Sequence, residues 1–587
     1  MCRIIGQLGT TLSTEVLQAA ANRQRAGGPD GQYLISAPGW ALGANRLAVT
    51  DLLGGRQPYS LGGVHVVFNG EIYNHRELRA RLDGLGYRFP DVCDGSILPA
   101  LYVEYGERFT DHLDGMYAIA VVDLRAEPTL LLTVDHAGMK PLYHHCHEGV
   151  LTFASEPAAL LALPGVRPDP RPDGLERYLA TKTVFGARTM YAHIDVLEPG
   201  TTLTFRAGGV PTIRQRQQDP TPAGGPTTLA EAGWAVQEEL RRQVRALSVA
   251  DVPIAAVLSG GLDSSLVSAL LRESVPELHT FTVAYAGDWP FDERRYATAA
   301  AEHIGSVHHT VTVDPADLPG LIQQSVTRMG QPNADPITVS TLALFQAVRE
   351  SGFPVALTGD GADEVFLGYR RMSEAWSTDG DWRGPYRDAL AAITTAGRDA
   401  LYTGDFLEGV RATRGDVLPT GSRVAAVTGL EVGRRLPAYH LRRVDHLAMA
   451  HGVEARLPFC QRALQQTALA LPEELRIAGT DVKRALRAAA TELVPDIVLN
   501  RPKQPFTLPV TSMLSPGSAL LSYSFDVLSP SALRRGGQLR PEAVQRLLRR
   551  QIVRPNDADA AAIWALVVYQ TWVDDVMPAL TRQEVSA

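Results

Sequence analysis

Cys2 stands one residue behind the initiator methionine, and its small side chain makes Met1 open to excision. Excision would leave a free α-amino group beside a thiol. Such an amine has an ordinary pKa of ~7.7–8.0, so near neutrality part of it is an unprotonated base able to take the thiol proton. Asn69 and Gly70, in Phe68-Asn69-Gly70-Glu71-Ile72-Tyr73-Asn74, put an amide side chain and a glycine N–H in one turn. Those donor types stabilise the oxyanion of a tetrahedral intermediate. Arg46 could clamp a carboxylate bidentately, and Asp94 could pair with an ammonium.

A second constellation lies at Ser259-Gly260-Gly261-Leu262-Asp263-Ser264-Ser265. It follows the apolar run 254–258 and precedes an apolar helix face of Leu266, Val267, Leu270 and Leu271. A strand, a Gly/Ser turn and a helix start together turn backbone N–H groups toward phosphate oxygens. The chain contains no Gly-Lys dipeptide, which excludes the Walker loop. Thr358-Gly359-Asp360-Gly361-Ala362-Asp363-Glu364 closes another strand, and its spacing fails the EF-hand template. Asp263 and Asp363 offer the hard oxygens that suit Mg²⁺ carried with a nucleotide. Lys483, on a helical segment, could supply the positioned cation that an adenylation transition state needs.

These residues need two kinds of scaffold. Before the Pro/Gly-rich stretch 217–226, short apolar runs at 64–68, 118–122, 130–134 and 150–154 alternate with turns, which predicts antiparallel sheets. After it, a helix pattern at 229–247 and strand runs at 254–258, 279–283 and 354–357 alternate with helices, which predicts a parallel α/β sheet. Beyond about residue 380 the chain reads mostly helical. The 587 residues, 45% hydrophobic and 20% charged, carry a formal charge of −8, which excludes a global field favouring nucleic acid or anionic membrane. No apolar run reaches the ~18–20 residues of a spanning helix, and four unpatterned cysteines predict a reducing, cytoplasmic setting. Of 56 lysines and arginines only four are lysine: Lys140, Lys182, Lys483 and Lys503. Where arginine is the default cation, each lysine marks a place where guanidinium would not serve.

Taken in order, Cys2, Arg46, Gln57-Pro58, Asn69-Gly70-Glu71, Asp94, Leu113-Asp114-Gly115-Met116-Tyr117 and Gly138-Met139-Lys140-Pro141-Leu142-Tyr143 resemble the glutaminase domain of class II amidotransferases. The SGGLDSS and TGDGADE segments, Lys483, Lys503 and His451-Gly452-Val453-Glu454-Ala455-Arg456-Leu457-Pro458-Phe459 resemble the synthetase domain of glutamine-hydrolysing asparagine synthetase. The resemblance implies an αββα N-terminal-nucleophile hydrolase sandwich (1–212). It implies next an α/β parallel-sheet ATP-pyrophosphatase domain with a helical C-terminal part (213–587). By the resemblance, Cys2 attacks glutamine over an oxyanion hole of Asn69 and Gly70, while Arg46, Glu71 and Asp94 hold its amino-acid end. Leu258, Ser259, Gly261, Asp263, Ser264, Val283, Thr358, Gly359 and Lys503 would bind ATP. Asp263 and Asp363 would hold Mg²⁺, Lys483 would assist adenylation, and Asp360 would lie near the acceptor carboxylate. Ammonia would pass through an internal tunnel to an acyl-adenylate. The expected partners are glutamine, ATP, a carboxylate acceptor and a second copy in a homodimer, with no nucleic acid and no membrane.

Several positions depart from that pattern. Arg3 stands where glycine is usual, Ser96 replaces a glutamate, Val134 an arginine, Leu367 a glycine and Gln461 an aspartate; Gln24-Arg25-Ala26-Gly27 lacks Arg-His-Arg. They bear on domain coupling and on the acceptor, for which aspartate is the first expectation and a specialised carboxylic acid the second. A third reading is a glutaminase or regulatory relic without synthesis. Gln331-Pro332-Asn333-Ala334-Asp335-Pro336 is the segment expected to shape the acceptor pocket, and Lys182 is the one lysine outside every motif.

Overall fold

The computed structural model describes residues 1–216, 225–289, 292–415, 417–501 and 508–581. Lys503 and most of the 217–226 stretch lie outside the described residues.

The N-terminal strands are β1 (Cys2–Leu8), β2 (Gly31–Ala37), β3 (Trp40–Arg46), β4 (Tyr59–Leu61), β5 (Val64–Ile72) and β6 (Gly115–Asp123). They continue as β7 (Thr129–Val134), β8 (Tyr143–His147), β9 (Val150–Ala154), β10 (Asp195–Val196), β11 (Thr201–Arg206) and β12 (Thr212–Gln215). One sheet has the order β10-β8-β9-β1-β3-β2, the other β12-β11-β7-β6-β5-β4. Their period-two alternation makes a sandwich. Ile4, Leu42 and Phe153 of the first sheet meet Val67, Ala120 and Leu132 of the second in a single buried cluster. The alternate residues Ile5 and Ala41 face Leu17 and Ala21 of helix α1 (Thr14–Asn22). On the far side Phe68, Ile119 and Val121 pack beneath α2 (His75–Gly84) and α3 (Leu98–Tyr105). The sheets are antiparallel, as the alternating runs predict, and the layers run αββα, as the resemblance implies. Helix α4 (Gly174–Thr181) follows and ends at Lys182, whose backbone is left-handed at φ 66°.

Helix α5 (Leu229–Leu247) falls where the sequence places it. Thr228 and Glu231 form a reciprocal capping box at its start, satisfying otherwise orphaned N–H groups. Strands β13 (Ile254–Val257), β14 (His279–Tyr285), β15 (Val307–Val313), β16 (Val355–Leu357) and β17 (Glu454–Arg456) form a parallel sheet ordered β15-β14-β13-β16-β17. The chain steps outward from β13 to β15, then returns to the opposite side of β13. Loops after β13 and β16 therefore part at a topological switch, where an open α/β sheet forms its crevice. Helix α6 (Leu262–Arg272) starts there.

β17 has no apolar signature. Glu454 and Arg456 are both fully buried within it and neutralise each other at 2.6 Å. Beyond it the chain is mostly helical, including α8 (Arg484–Ala490); α7 (Arg442–Met449) immediately precedes β17. The last helices pack back on the sandwich, where Tyr178 Oη donates to Ala565 O at 2.9 Å. Among the described residues no helix is long and apolar enough to cross a membrane.

Candidate functional site

Two sites emerge, one at each end of a buried polar bridge. The first surrounds Cys2 on β1, which pairs with Arg46 on β3. Gln57 Nε2 donates to Cys2 Sγ at 3.2 Å and to Phe68 O at 3.0 Å. The Cys2 backbone N–H donates to Asn69 Oδ1 at 3.2 Å. Asn69 Nδ2 is buried and has no hydrogen-bond partner among the described residues. An orphaned buried donor is costly, and one beside a thiol is the group an oxyanion would satisfy. Gly70 sits at φ 154°, where a Cβ would collide with Met116 O, so only glycine lets β5 approach β6 here.

Burial raises the Cys2 thiol pKa, and the N-terminal ammonium and Arg46 pull against it. The Met1 ammonium is itself buried, donates to Leu47 O at 2.9 Å and lies 3.5 Å from Glu454 Oε2. Desolvation is the largest influence and opposes that charge, but Glu454, Cys2, Glu71 and Asp94 together overcome it and raise the amine pKa. Arg46 spends its guanidinium on the carbonyls of Thr50, Asp51 and Leu52 and has no acidic partner among the described residues. Glu71 and Asp94 are both buried, and desolvation lifts both carboxyl pKa values, with Asp94 repelling Glu71. Asp94 accepts from the backbone of Ile72 at 2.7 Å and Gly95 at 2.9 Å. An arginine whose charge no carboxylate pairs, together with two destabilised carboxylates, is the charge pattern that complements a zwitterionic amino acid.

The second site is a cavity of ≈ 520 Å³ at the sheet's switch point. Ser259, Gly261, Asp263, Ser264, Val283, Thr358, Gly359, Asp360, Asp363 and Lys483 all line it. Ser264 Oγ accepts from the Ser259 N–H at 3.1 Å and so fixes the loop. Gly260, at φ 72°, leaves no room for a Cβ against Ala297 N. Leu258 instead is buried beneath the loop, and its neighbour Val257 reaches the cavity.

Lys483 is the left-handed residue that starts α8, at φ 53°. Its ammonium lies 2.7 Å from both carboxylate oxygens of Asp263 and 2.6 Å from Asp363 Oδ1. Although buried, it is held well above its ordinary pKa by these two acids. Gly368 leaves this cluster its space, since a Cβ there would strike Lys483 and Asp363. No group of three or more His, Cys, Asp and Glu side chains among the described residues could enclose a metal. The convergent carboxylates of Asp263 and Asp363 fit Mg²⁺ as two ligands of a shell that nucleotide phosphates and water complete.

Further along the cavity Arg443 bridges Asp335 and Asp360, with Nη2 3.2 Å from Asp360 Oδ1. Asp335 and Pro336, from the 331–336 segment, belong to the wall of this cavity. Arg371 and Arg435 enclose the same space, paired with Glu431 and with Glu364 and Glu431 respectively.

Sequence reasoning left Gln57 without a role, gave Arg443 none, and did not foresee the bridge between the sites. Helix α7 carries Arg443 into the cavity, and two residues later Asp445 meets Arg3 at 2.6 Å and Lys140 at 3.0 Å. His446, next on the helix, pairs with Tyr143 Oη at 2.9 Å. The Asp445 and His446 contacts join residues more than 300 positions apart, for which a single sequence carries no signal.

Residues 1–216 match the glutamine amidotransferase domain family, and residues 235–574 match the asparagine synthase family. Asparagine synthetase (glutamine-hydrolyzing) 3 of Bacillus subtilis is 28% identical, covering 82% of this chain and 82% of its own. Asparagine synthetase (glutamine-hydrolyzing) 1 of the same organism is 26% identical over 93% of this chain and 91% of its own. Amidase chyE of Penicillium rubens is 31% identical over 64% of this chain and 59% of its own. With a Gly/Ser loop at the sheet's switch point and an αββα sandwich on one chain, and more than half of its length matched by one family, this protein belongs to the asparagine synthase family.

Proposed function

We propose that the protein makes an amide from a carboxylic acid, ATP and glutamine, with aspartate the first candidate acceptor and asparagine its product. The observation that carries this reading is helix α7, one turn of which touches both sites: Arg443 on Asp360, Asp445 on Arg3 beside Cys2.

At the first site, removal of Met1 exposes the Cys2 amine as base. The thiolate attacks the side-chain amide of glutamine, Asn69 Nδ2 and the Gly70 N–H receive the oxyanion, and ammonia leaves. Water then releases glutamate from the thioester. At the second site a carboxylate oxygen of the acceptor attacks the α-phosphorus of ATP and expels pyrophosphate. Lys483 supplies positive charge where the phosphate oxygens gather it, and Ser259, Gly261 and Ser264 orient them. Mg²⁺ carried by the nucleotide would rest on Asp263 and Asp363 and neutralise phosphate charge. Ammonia attacks the acyl carbon and AMP departs. The two domains divide near residue 212, and ammonia crosses between them inside the protein, which keeps water from the adenylate.

A second acceptor reading, a carboxylic acid other than aspartate, is favoured by the relatives named amidases and by the departures at Arg3, Leu367 and Gln461. One assay separates the readings: glutamine, ATP, Mg²⁺ and a panel of carboxylic acids, with AMP and amide followed by mass spectrometry. Aspartate-dependent AMP and asparagine are expected. AMP with another acid alone transfers the assignment to that acid, and glutamine hydrolysis with no AMP from any acid overturns amide synthesis.

A further inference from the structure

Lys182 is the lysine that no motif explains. It is placed with deliberate geometry. As the residue capping α4 it holds a left-handed backbone, φ 66° and ψ −7°, a conformation glycine or asparagine would adopt with less strain. Its carbonyl accepts from the Ala334 N–H at 2.9 Å, tying it to the 331–336 segment. Six non-glycine residues among those described have positive φ, and the two that line the nucleotide cavity are both lysines, Lys182 and Lys483. Lys483 uses that backbone to reach Asp263 and Asp363.

Lys182 reaches no acid. Its ammonium makes no hydrogen bond or ion pair among the described residues, although it comes from the N-terminal sandwich into the wall of the other site. Its neighbours are already matched: Asp335 and Asp360 by Arg443, Glu364 by His440, Glu431 by Arg371. Burial brings the free ammonium down to about 8; Arg435 and Arg371 push the same way, and Asp335 only partly opposes them. A cation left unmatched in a cavity is what an anionic ligand group would compensate. Contacts along the wall link Lys483 to Asp363, in one loop with Asp360, then Asp360 through Arg443 to Asp335, whose neighbour Ala334 bonds the Lys182 carbonyl. The carboxylate to be activated must lie at the phosphate end, so Lys182 faces a different part of the acceptor.

We infer that Lys182 is a specificity-determining residue that pairs with a second carboxylate on the acceptor, so that the substrate class is dicarboxylic acids. The inference rests on the proposed amide synthesis. Aspartate belongs to this class, as do longer and unaminated diacids; a monocarboxylic acid leaves Lys182 unmatched.

The test uses the full chain with ammonia as nitrogen source, which bypasses Cys2, and follows AMP. Aspartate, glutamate and succinate are compared with β-alanine and propionate, for the parent, Lys182→Met and Lys182→Arg. The parent is expected to prefer a dicarboxylate. Lys182→Met should raise the KM for that acid at least 30-fold, with the KM for ATP within about twofold and a melting temperature no lower than the parent's. Lys182→Arg should recover most of the loss. A dicarboxylate KM unmoved in Lys182→Met, a rise in the ATP KM instead, or a parent that uses only monocarboxylates overturns the role of Lys182 and leaves amide synthesis standing. No AMP from any acid overturns both.

Discussion

Arg3 Nη1 donates to Asp445 Oδ2 at 2.6 Å, joining the strand of the nucleophile to the helix that carries Arg443. Both side chains are buried, Glu156 holds Arg3 Nε at 2.8 Å, and Lys140 takes the other Asp445 oxygen at 3.0 Å. Glycine at position 3 could form none of these contacts, so the departure at Arg3 strengthens the link between the sites. Breaking one partner of a buried pair costs about 3–5 kcal/mol. Arg3→Ala should therefore lower stability on that order, seen in denaturant melts, and should uncouple the sites. More than one glutamine would then be hydrolysed per AMP formed. Arg3→Lys, which keeps charge but not the three-way fork, should uncouple with a smaller stability loss. A ratio that stays at one in both variants refutes the coupling.

Cys2→Ala removes the thiol while keeping the packing of a small residue. It should abolish glutamine-dependent AMP formation and leave ammonia-dependent AMP formation at parental rates. Asn69→Ala should slow glutamine hydrolysis by about 10²–10³-fold, the loss typical of one oxyanion donor. The KM for ammonia in the synthetase reaction should not change. Loss of the ammonia-dependent rate in folded Cys2→Ala would contradict two separate sites.

The local signals were legible because each is set by short-range geometry. Ser259 to Ser265 reads as a phosphate loop since strand, turn and helix are consecutive, and α5 reads as a helix because its apolar positions repeat at helical spacing, to which the structure adds the Thr228–Glu231 cap. β17 was hidden, since Glu454 and Arg456 look exposed until each supplies the other's countercharge. At the end of β13 period-two alternation turns the Val257 side chain to the cavity and the Leu258 side chain to the core. Arg443, Asp445 and Lys182 owe their meaning to partners far along the chain, which periodicity does not encode.

Acid should unfold the protein in two stages. His446 and His136 are buried and, chiefly by desolvation, held down to about 3 and about 4. Below the unfolded value of ~6.5 the unfolded chain binds protons that the folded one does not, so stability falls as pH drops from ~6.5 toward 4. Asp445 and Glu364 follow. Burial pushes both up, but Arg3 and Lys140 bring Asp445 to about 2, and His440 and Arg435 bring Glu364 to about 2. Their contribution is complete above the unfolded carboxylate range of ~4 and is lost as pH falls through about 2. Denaturant melts from pH 8 to 3 should show a shallow loss and then a steep one. His446→Gln should flatten the shallow part; an unchanged slope there would remove His446 from the account.

Lys483→Arg tests the cation that both cavity aspartates share. The slot is narrow: Asp263 and Asp363 approach the ammonium to 2.6–2.7 Å, and only glycine fits at 368. A guanidinium is planar and longer, and its fork can satisfy one carboxylate bidentately while pushing the other aside. Charge is preserved, so a role in bulk electrostatics alone would survive the change. A point charge held between Asp263 and Asp363 beside the phosphate loop would not. AMP formation should fall at least 100-fold with ammonia as nitrogen source, while glutamine hydrolysis continues. Within a factor of five of the parental rate, the variant would show that any cation serves there.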